Sequence, residues 1–344
     1  MKTKDFFYFL PETSIAQKPR VPRDSSKLLV VDEENRIIHS QFKRVKDFLK
    51  RGDLVVINDS KTIKARIFGK RKSGGKCEVL LLRKLPSEKR ERWEVLCKPS
   101  RKLKCGEEVF VGANILLVVK EREEGIREIE FVNCDSENVI KKYGRVPLPP
   151  YIRRKDTKED RRNYQTVYAR EGNSVAAPTA GLHFTKRVLK SLVDKGVEIA
   201  RIRLDVGLGT FKPVVSENVE EHKMHTEEYF ISKEASEKIN SAAKEERRIV
   251  AVGTTVVRTL EDQMEKYGQI REGDFETDIF IRPGFKFRCV DAMITNFHLP
   301  ETTLLMLVSA FKTRETILSA YEEAVKKGYL FYSYGDAMLL INKK

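Results

Sequence analysis

The sequence predicts an α/β large domain with a small β-barrel inserted into it, on three observations. Short apolar runs such as residues 54–57 (Leu-Val-Val-Ile) and 249–252 (Ile-Val-Ala-Val) alternate with helix-period segments at 186–195, 233–246 and 256–267, the pattern of buried strands joined through helices. At about Arg66 the character changes to short strands and glycine turns, with no long helix before about Val146. Pro147, Pro149 and Pro150 then mark a return linker. The expected division is a discontinuous α/β domain over 1–65 and 147–344 and an inserted barrel over 66–146.

Taken in order, residues 28–31 read as a strand, 42–50 as a short amphipathic helix, and 54–57 as a strand that delivers Asn58-Asp59-Ser60. The carboxyl end of a buried strand is where open α/β sheets bind ligands. Within the insert, strands are expected over 77–83, 93–97, 109–110, 115–120 and 126–132, punctuated by Ser73-Gly74-Gly75, Cys105-Gly106 and Val111-Gly112. After the linker, the basic run 153–163 reads as a mobile surface loop and leads to Tyr164-Gln165-Thr166-Val167-Tyr168. Basic residues interleaved with tyrosines suit phosphates and stacked bases, although ordinary loop composition explains them nearly as well.

Residues 174–185 (Ser-Val-Ala-Ala-Pro-Thr-Ala-Gly-Leu-His-Phe-Thr) are uncharged and small. They run into a helix start with Thr185 as N-cap, an apolar stripe at Val188, Leu189, Leu192 and Val193, and Gly196 past the end. A helix N-terminus offers free N–H groups to a polar or anionic ligand, and His183 stands just before it. The other reading is a tight buried connection whose histidine is merely hydrogen-bonded.

Beyond Gly196, residues 199–206 alternate as a strand, followed by the small-residue loop Gly207-Leu208-Gly209-Thr210-Phe211. His222 and His225 lie among Glu221, Glu227 and Glu228, as a metal pair or an acid/base cluster would; without a third close His or Cys, metal is the weaker reading. The strand 249–252 delivers Gly253-Thr254-Thr255 to a helix over 256–267 closed by Gly268, a geometry that cradles a nucleotide or a carboxylate. Arg258 in its first turn opposes the helix dipole and calls for an acidic partner or ligand. Thr295-Asn296-Phe297-His298-Leu299-Pro300 precedes an apolar helix over 303–311, a second helix ends at Gly328, and 329–341 reads as two apolar strands around Tyr-Gly-Asp.

At 344 residues, with 40% hydrophobic and 34% charged residues, the chain has the makings of a soluble two-domain protein. No apolar run approaches the roughly 18 residues of a membrane span, and the N-terminus makes a poor secretory signal. Five scattered cysteines without a CxxC pair favour a reducing cytoplasm over a disulfide frame or a Cys-type zinc site. The net charge of +15 is clustered: residues 61–104 hold sixteen Lys/Arg against four Glu, and 141–170 hold ten against three acidic residues. Two such segments point to a polyanion such as nucleic acid.

Together these residues resemble the S-adenosylmethionine:tRNA ribosyltransferase-isomerases of queuosine biosynthesis. The matching segments are Leu10-Pro11 with Ile15-Ala16-Gln17, Gly52-Asp53 with Asn58-Asp59, Pro149-Pro150-Tyr151-Ile152 and residues 164–168. Residues 174–185, 206–214, 222–227, 252–261, 296–311 and 333–341 complete a match across essentially the whole chain. The chain departs from the family pattern at Asp205, where a histidine is usual, in the segment Ser60-Lys61-Thr62-Ile63-Lys64-Ala65-Arg66, and at Phe9.

The resemblance implies transfer and isomerisation of the ribosyl group of S-adenosylmethionine onto the aminomethyl group of a 7-deazaguanine at the tRNA wobble position. Epoxyqueuosine-tRNA forms, and adenine and methionine leave. The sulfonium acidifies the C5′ protons, so a base must sit nearby, adenine must be protonated as it departs, and the attacking amine must be neutral. The implied proton-moving groups are His183, His225, His298 and Glu227, the three histidines being expected in one pocket with His222 turned away. Implied substrate contacts are Asn58, Asp59, Thr179, Gly181, Gly207, Gly209, Gly253, Thr254, Thr255, Arg258 and Asn296. Implied tRNA contacts are Lys61, Arg66, Arg153, Arg154, Tyr164 and Gln165. The expectation is a cytoplasmic monomer that needs no metal, no membrane and no cofactor beyond S-adenosylmethionine as co-substrate. A metal-dependent phosphoesterase using His222 and His225, or a non-catalytic tRNA-binding protein, are the competing readings.

Overall fold

The computed structural model describes residues 1–122, 125–207 and 216–343. The chain opens with strands β1 (Lys27–Val31), β2 (Ile37–Gln41) and β3 (Leu54–Asn58). Six strands of the insert follow: β4 (Arg66–Arg71), β5 (Lys76–Leu85), β6 (Arg92–Lys98), β7 (Glu108–Val111), β8 (Asn114–Glu121) and β9 (Ile126–Phe131). Then come α1 (Ser136–Tyr143), α2 (Asp160–Asn163), α3 (Lys186–Asp194), β10 (Glu198–Leu204), β11 (Glu227–Ile231) and α4 (Lys233–Lys244). The chain finishes with β12 (Ile249–Val252), α5 (Thr254–Tyr267), β13 (Gly273–Thr277), β14 (Ala292–Asn296), α6 (Thr303–Phe311), α7 (Arg314–Lys326) and β15 (Ala337–Ile341).

The insert is a closed barrel in the order β4-β5-β6-β9-β8-β7, and its alternating inward residues, Trp93 and Phe131 among them, form a core of their own. Closure leaves no open sheet edge. The large domain is a nine-stranded sheet ordered β13-β11-β10-β3-β12-β14-β15-β1-β2. Its four central strands β10, β3, β12 and β14 run parallel. β3, β12 and β14 are buried on both faces, so β3 and β12 read as continuous apolar runs, whereas β10 buries one face and keeps Arg201 and Arg203 half-exposed on the other. Alternate residues of β1 show the layering. Leu29 and Val31 pack on the face covered by α4 to α7, while Leu28 and Val30 pack on the face of Phe42, Phe184 and α3. Among the described residues no helix is long and apolar enough to cross a membrane.

The α/β domain with its inserted barrel is thus as the sequence predicts, but several elements differ. Residues 42–50 form a 3₁₀ helix, Phe42–Phe48, rather than an amphipathic α-helix. Its buried pair Phe42 and Val45 are three apart, and 3₁₀ geometry lines up such residues. The two strands expected around Tyr-Gly-Asp reduce to β15. Tyr332 adopts φ +72° and breaks the extension, and Asp336 fills the turn by accepting from Leu330 N at 2.8 Å and Lys27 N at 2.7 Å. The strand expected over 199–206 stops at Leu204, because Val206 N turns to Ser174 Oγ at 2.9 Å. The basic run 153–163, expected as a loop, closes in the short helix α2 and is tied to the domain at Asp160. Asp160 accepts from both Nη atoms of Arg154 at 2.6 and 2.7 Å and from Tyr334 Oη at 2.8 Å.

Candidate functional site

A cavity of about 250 Å³ opens at the carboxyl ends of β12 and β14. Val206, just past β10, contributes to its wall. Gly253 makes the turn from β12 into α5 with φ +96°, a backbone region that side chains rarely adopt. The helix N-terminus that follows brings Thr254 and Thr255 to the cavity, and the uncharged stretch supplies Ala176, Ala177, Pro178 and Thr179 opposite. Free N–H groups at the start of α5 and a close-approaching backbone suit a polar ligand at this edge.

Asn296, the last residue of β14, lies on the wall. Its Nδ2 is 3.0 Å from His183 Nε2, and His183 Nδ1 is 2.9 Å from Ser26 Oγ. Burial, with Arg23 and Arg20 adding repulsion, pushes the His183 imidazole down to about 3. His298 does line the cavity. Its Nε2 is 3.0 Å from Thr295 Oγ1, Tyr8 donates to its carbonyl, and burial pushes its imidazole down to about 3 as well. Both rings are therefore neutral at ordinary pH. Tyr332 and Tyr151, with ring centroids 3.9 Å apart, and Phe297, Leu299 and Leu304 make one side of the cavity apolar.

The three histidines do not share this cavity, contrary to the sequence expectation. His183 sits behind Asn296 because its ring fills a buried slot beside Phe42, 5.2 Å away. His225 is exposed and lines a separate cleft, about 370 Å³, between the barrel and the sheet edge. Gly207, Glu227, Glu228 and Asp205 share that cleft with Arg83 and Lys84 of β5, and Arg83 Nη1 reaches Glu228 Oε1 at 3.0 Å across it. Glu227 is buried and pairs with Arg258, so the acidic partner that Arg258 required comes from β11. His222 is absent from the cleft lining and packs edge-on against Phe280 at 5.5 Å; the segment is not helical. Among the described residues no three His, Cys, Asp or Glu gather as metal ligands.

Other expected contacts are structural. Asn58 is fully buried and clamps β3 to β10, with Nδ2 donating to Leu204 O at 2.9 Å and Oδ1 accepting from Ser60 N at 3.0 Å. Asp59 faces a different groove beside Arg170 and Arg201, where burial raises its carboxyl pKa against the pull of those cations. Gly181 is a packing glycine, since a Cβ there would fall 2.1 Å from Tyr168 Oη. Gly209 lies outside the described residues, as does most of the 207–211 loop.

Of the expected tRNA contacts, Tyr164 is buried against Tyr334 in the interior, so its ring is not available to stack a base. Gln165 binds both backbone groups of Thr62, and Arg66 pairs with Glu78 at 3.1 Å and donates to Leu148 O. Arg154 is tied to Asp160, and Arg153 pairs with Glu12 at the surface. Lys61 is exposed. Two cavity residues carry no local signal of a site: Tyr332 falls within an expected strand, and Val206 fits the alternation of the strand before it. Ser26, the partner of His183 Nδ1, belongs to no local motif.

Comparison with known proteins agrees with this architecture. A family model described as "Queuosine biosynthesis protein" matches residues 3–340. The S-adenosylmethionine:tRNA ribosyltransferase-isomerase of Fusobacterium nucleatum is 50% identical over 341 residues, covering 98% of this chain and 96% of that protein. The protein of the same name from Carboxydothermus hydrogenoformans is 50% identical over 345 residues, covering 99% and 100%. A crystal structure of S-adenosylmethionine tRNA ribosyltransferase from Thermotoga maritima is 35% identical, with a TM-score of 0.56 over 98% of this chain and 100% of that one. A match that runs from residue 3 to residue 340 and spans both the sheet and its inserted barrel places this chain in the queuosine biosynthesis family of S-adenosylmethionine:tRNA ribosyltransferase-isomerases.

Proposed function

We propose that this enzyme transfers and isomerises the ribosyl moiety of S-adenosylmethionine onto the aminomethyl group of 7-aminomethyl-7-deazaguanine at the tRNA wobble position, releasing adenine and methionine. The observation that carries the reading is the cavity at Gly253 and Asn296, whose lining comes largely from residues 176–180, 253–255 and 295–304, within the span that the family model matches. In this reading the cavity holds the donor. Thr254 and Thr255 at the start of α5 offer hydrogen bonds, and the apolar side at Tyr332, Phe297 and Leu299 receives flat or aliphatic parts.

His298 is assigned the proton taken from C5′ next to the sulfonium. It is the one histidine on the cavity wall among the described residues, and its neutral ring accepts a proton without first losing one. The cleft of His225, Glu227, Arg83 and Lys84 is assigned to the tRNA side, where basic barrel residues meet the sheet edge. The enzyme acts as a cytoplasmic monomer and takes no cofactor beyond S-adenosylmethionine. The test is to mix the protein with S-adenosylmethionine and tRNA bearing the aminomethyl-deazaguanine and to measure products. Adenine and methionine in equal amounts are expected; S-adenosylhomocysteine would mean methyl transfer and overturn the reading.

A further inference from the structure

Asn296 is 3% exposed on the cavity wall, and its Nδ2 donates to Tyr332 O at 3.2 Å as well as lying 3.0 Å from His183 Nε2. Among the described residues its Oδ1 is buried without a hydrogen-bond partner. A carbonyl oxygen only accepts, so the Tyr332 contact requires the amide nitrogen on that side. His183 Nε2 must then be the unprotonated, accepting nitrogen, and Nδ1–H donates to Ser26 Oγ at 2.9 Å. The chain Ser26–His183–Asn296 thus has one proton arrangement. It leaves Oδ1 as an acceptor that the protein does not satisfy, and a buried acceptor of this kind calls for a ligand donor.

We propose that His183 is a positioning residue: acting through Asn296, it holds Oδ1 as the acceptor for the exocyclic amine of the adenine in S-adenosylmethionine. Asparagine reads adenine by accepting from that amine and donating to a ring nitrogen. Here the donor half is already used, so only the amine is read. The neighbours of Asn296 on the wall, Phe297, Leu299 and Tyr332, are apolar and suit a base better than a ribose or an ammonium group. The inference rests on the reading of this cavity as the donor site.

The test measures displacement of bound S-adenosylmethionine by adenosine, inosine, 2′-deoxyadenosine and 3′-deoxyadenosine. Inosine presents an oxygen where adenosine presents the amine, so the wild type should prefer adenosine by about 10-fold or more. In Asn296→Leu and in His183→Phe that preference should fall to within about 2-fold, while His183→Gln, which keeps an acceptor near the Nε2 position, should retain it. The discrimination ratio separates positioning from a folding defect, and melting temperatures identify any variant that fails to fold. An unchanged ratio in folded Asn296→Leu overturns the inference. So does a deoxyadenosine deficit that vanishes in that variant, because the acceptor would then read the ribose. Failure of the wild type to bind S-adenosylmethionine at all overturns the donor-site reading itself.

Discussion

Glu227 and Arg258 form a buried ion pair that ties strand β11, beside the interdomain cleft, to helix α5, with side-chain exposures of 4% and 6%. Glu227 faces the interdomain cleft, while Arg258 lies one turn beyond Thr254 on α5, the helix whose start borders the cavity. Arg258 Nε donates to Ile279 O at 3.2 Å, and among the described residues its Nη2 has no hydrogen-bond partner. Removing the Glu227 carboxylate leaves the Arg258 guanidinium buried without that charge, at about 3–5 kcal/mol, whereas replacing both with apolar groups costs far less. Denaturant titrations of Glu227→Leu should show a loss of that size, with much of it recovered in Arg258→Met/Glu227→Leu. A loss under about 1 kcal/mol in the single variant would show that the pair is solvated.

Placement on the cavity wall sets His298 apart from the other histidines. Replacing it with Ala should lower kcat by about 100-fold or more while the dissociation constant for S-adenosylmethionine changes little, as for a group that acts in proton transfer. His225→Ala should instead raise KM for tRNA. Steady-state kinetics with each substrate varied in turn distinguishes the two, and a fully active His298→Ala enzyme would remove that residue from the chemistry.

Stability should fall on mild acidification. His183 and His298 are pushed down to about 3, chiefly by burial. The unfolded chain takes up these protons near 6.5 and the folded chain does not until about 3, so the unfolded state binds more protons in between. Each ring then loses about 1.4 kcal/mol of stability per pH unit below 6.5, or about 2 kcal/mol by pH 5. Unfolding free energies measured from pH 7 to 5 should show this slope, and His183→Phe should reduce it by about one proton. A slope identical to wild type would mean that the His183 ring is hydrated in solution.

Charges on residues 153–163 should separate into two classes. Lys158 and Arg161 are exposed, and neutralising either should lower the salt dependence of tRNA binding by about one unit of slope. Arg154→Ala should act on stability instead, because it abandons the buried Asp160. Burial alone would raise the Asp160 carboxyl, but hydrogen bonds from Arg154, Thr157 and Tyr334 hold it well below the usual range. Equal salt slopes for wild type and Lys158→Ala would place the tRNA footprint elsewhere.

The sequence made the architecture legible because the strongest signals were local. Strands β3 and β12 read as unbroken apolar runs, the short strands and glycine turns after Arg66 read as a barrel, and Thr185 does cap α3 by accepting from Val188 N. Edge strands β2 and β13 escaped, since their polar, half-exposed residues carry no clear period. The candidate site was legible in part: Gly253, Thr254, Thr255, Thr179, Asn296 and His298 do meet at one cavity. The rest was not, because residue type does not report depth. His183 and His298 are identical in composition and similarly buried, and only the sheet order places one on the wall and the other a layer behind. Tyr164 looked like a stacking ring for the same reason.

The barrel is drawn from one contiguous span, Arg66 to Phe131, whereas the large sheet seats β15 in its interior, between β14 and β1. Emerging from the ribosome, the insert can close as soon as its own six strands are out. The surrounding sheet keeps a gap beside β1 until Ile341 arrives, so Leu28 to Val31 must wait, apolar and unpaired along one side, through the synthesis of some three hundred residues. Vectorial synthesis therefore yields a finished barrel held on an unfinished domain, and the cavity at Gly253 and Asn296, whose wall includes the end of β14 beside that last strand, is among the final features to form.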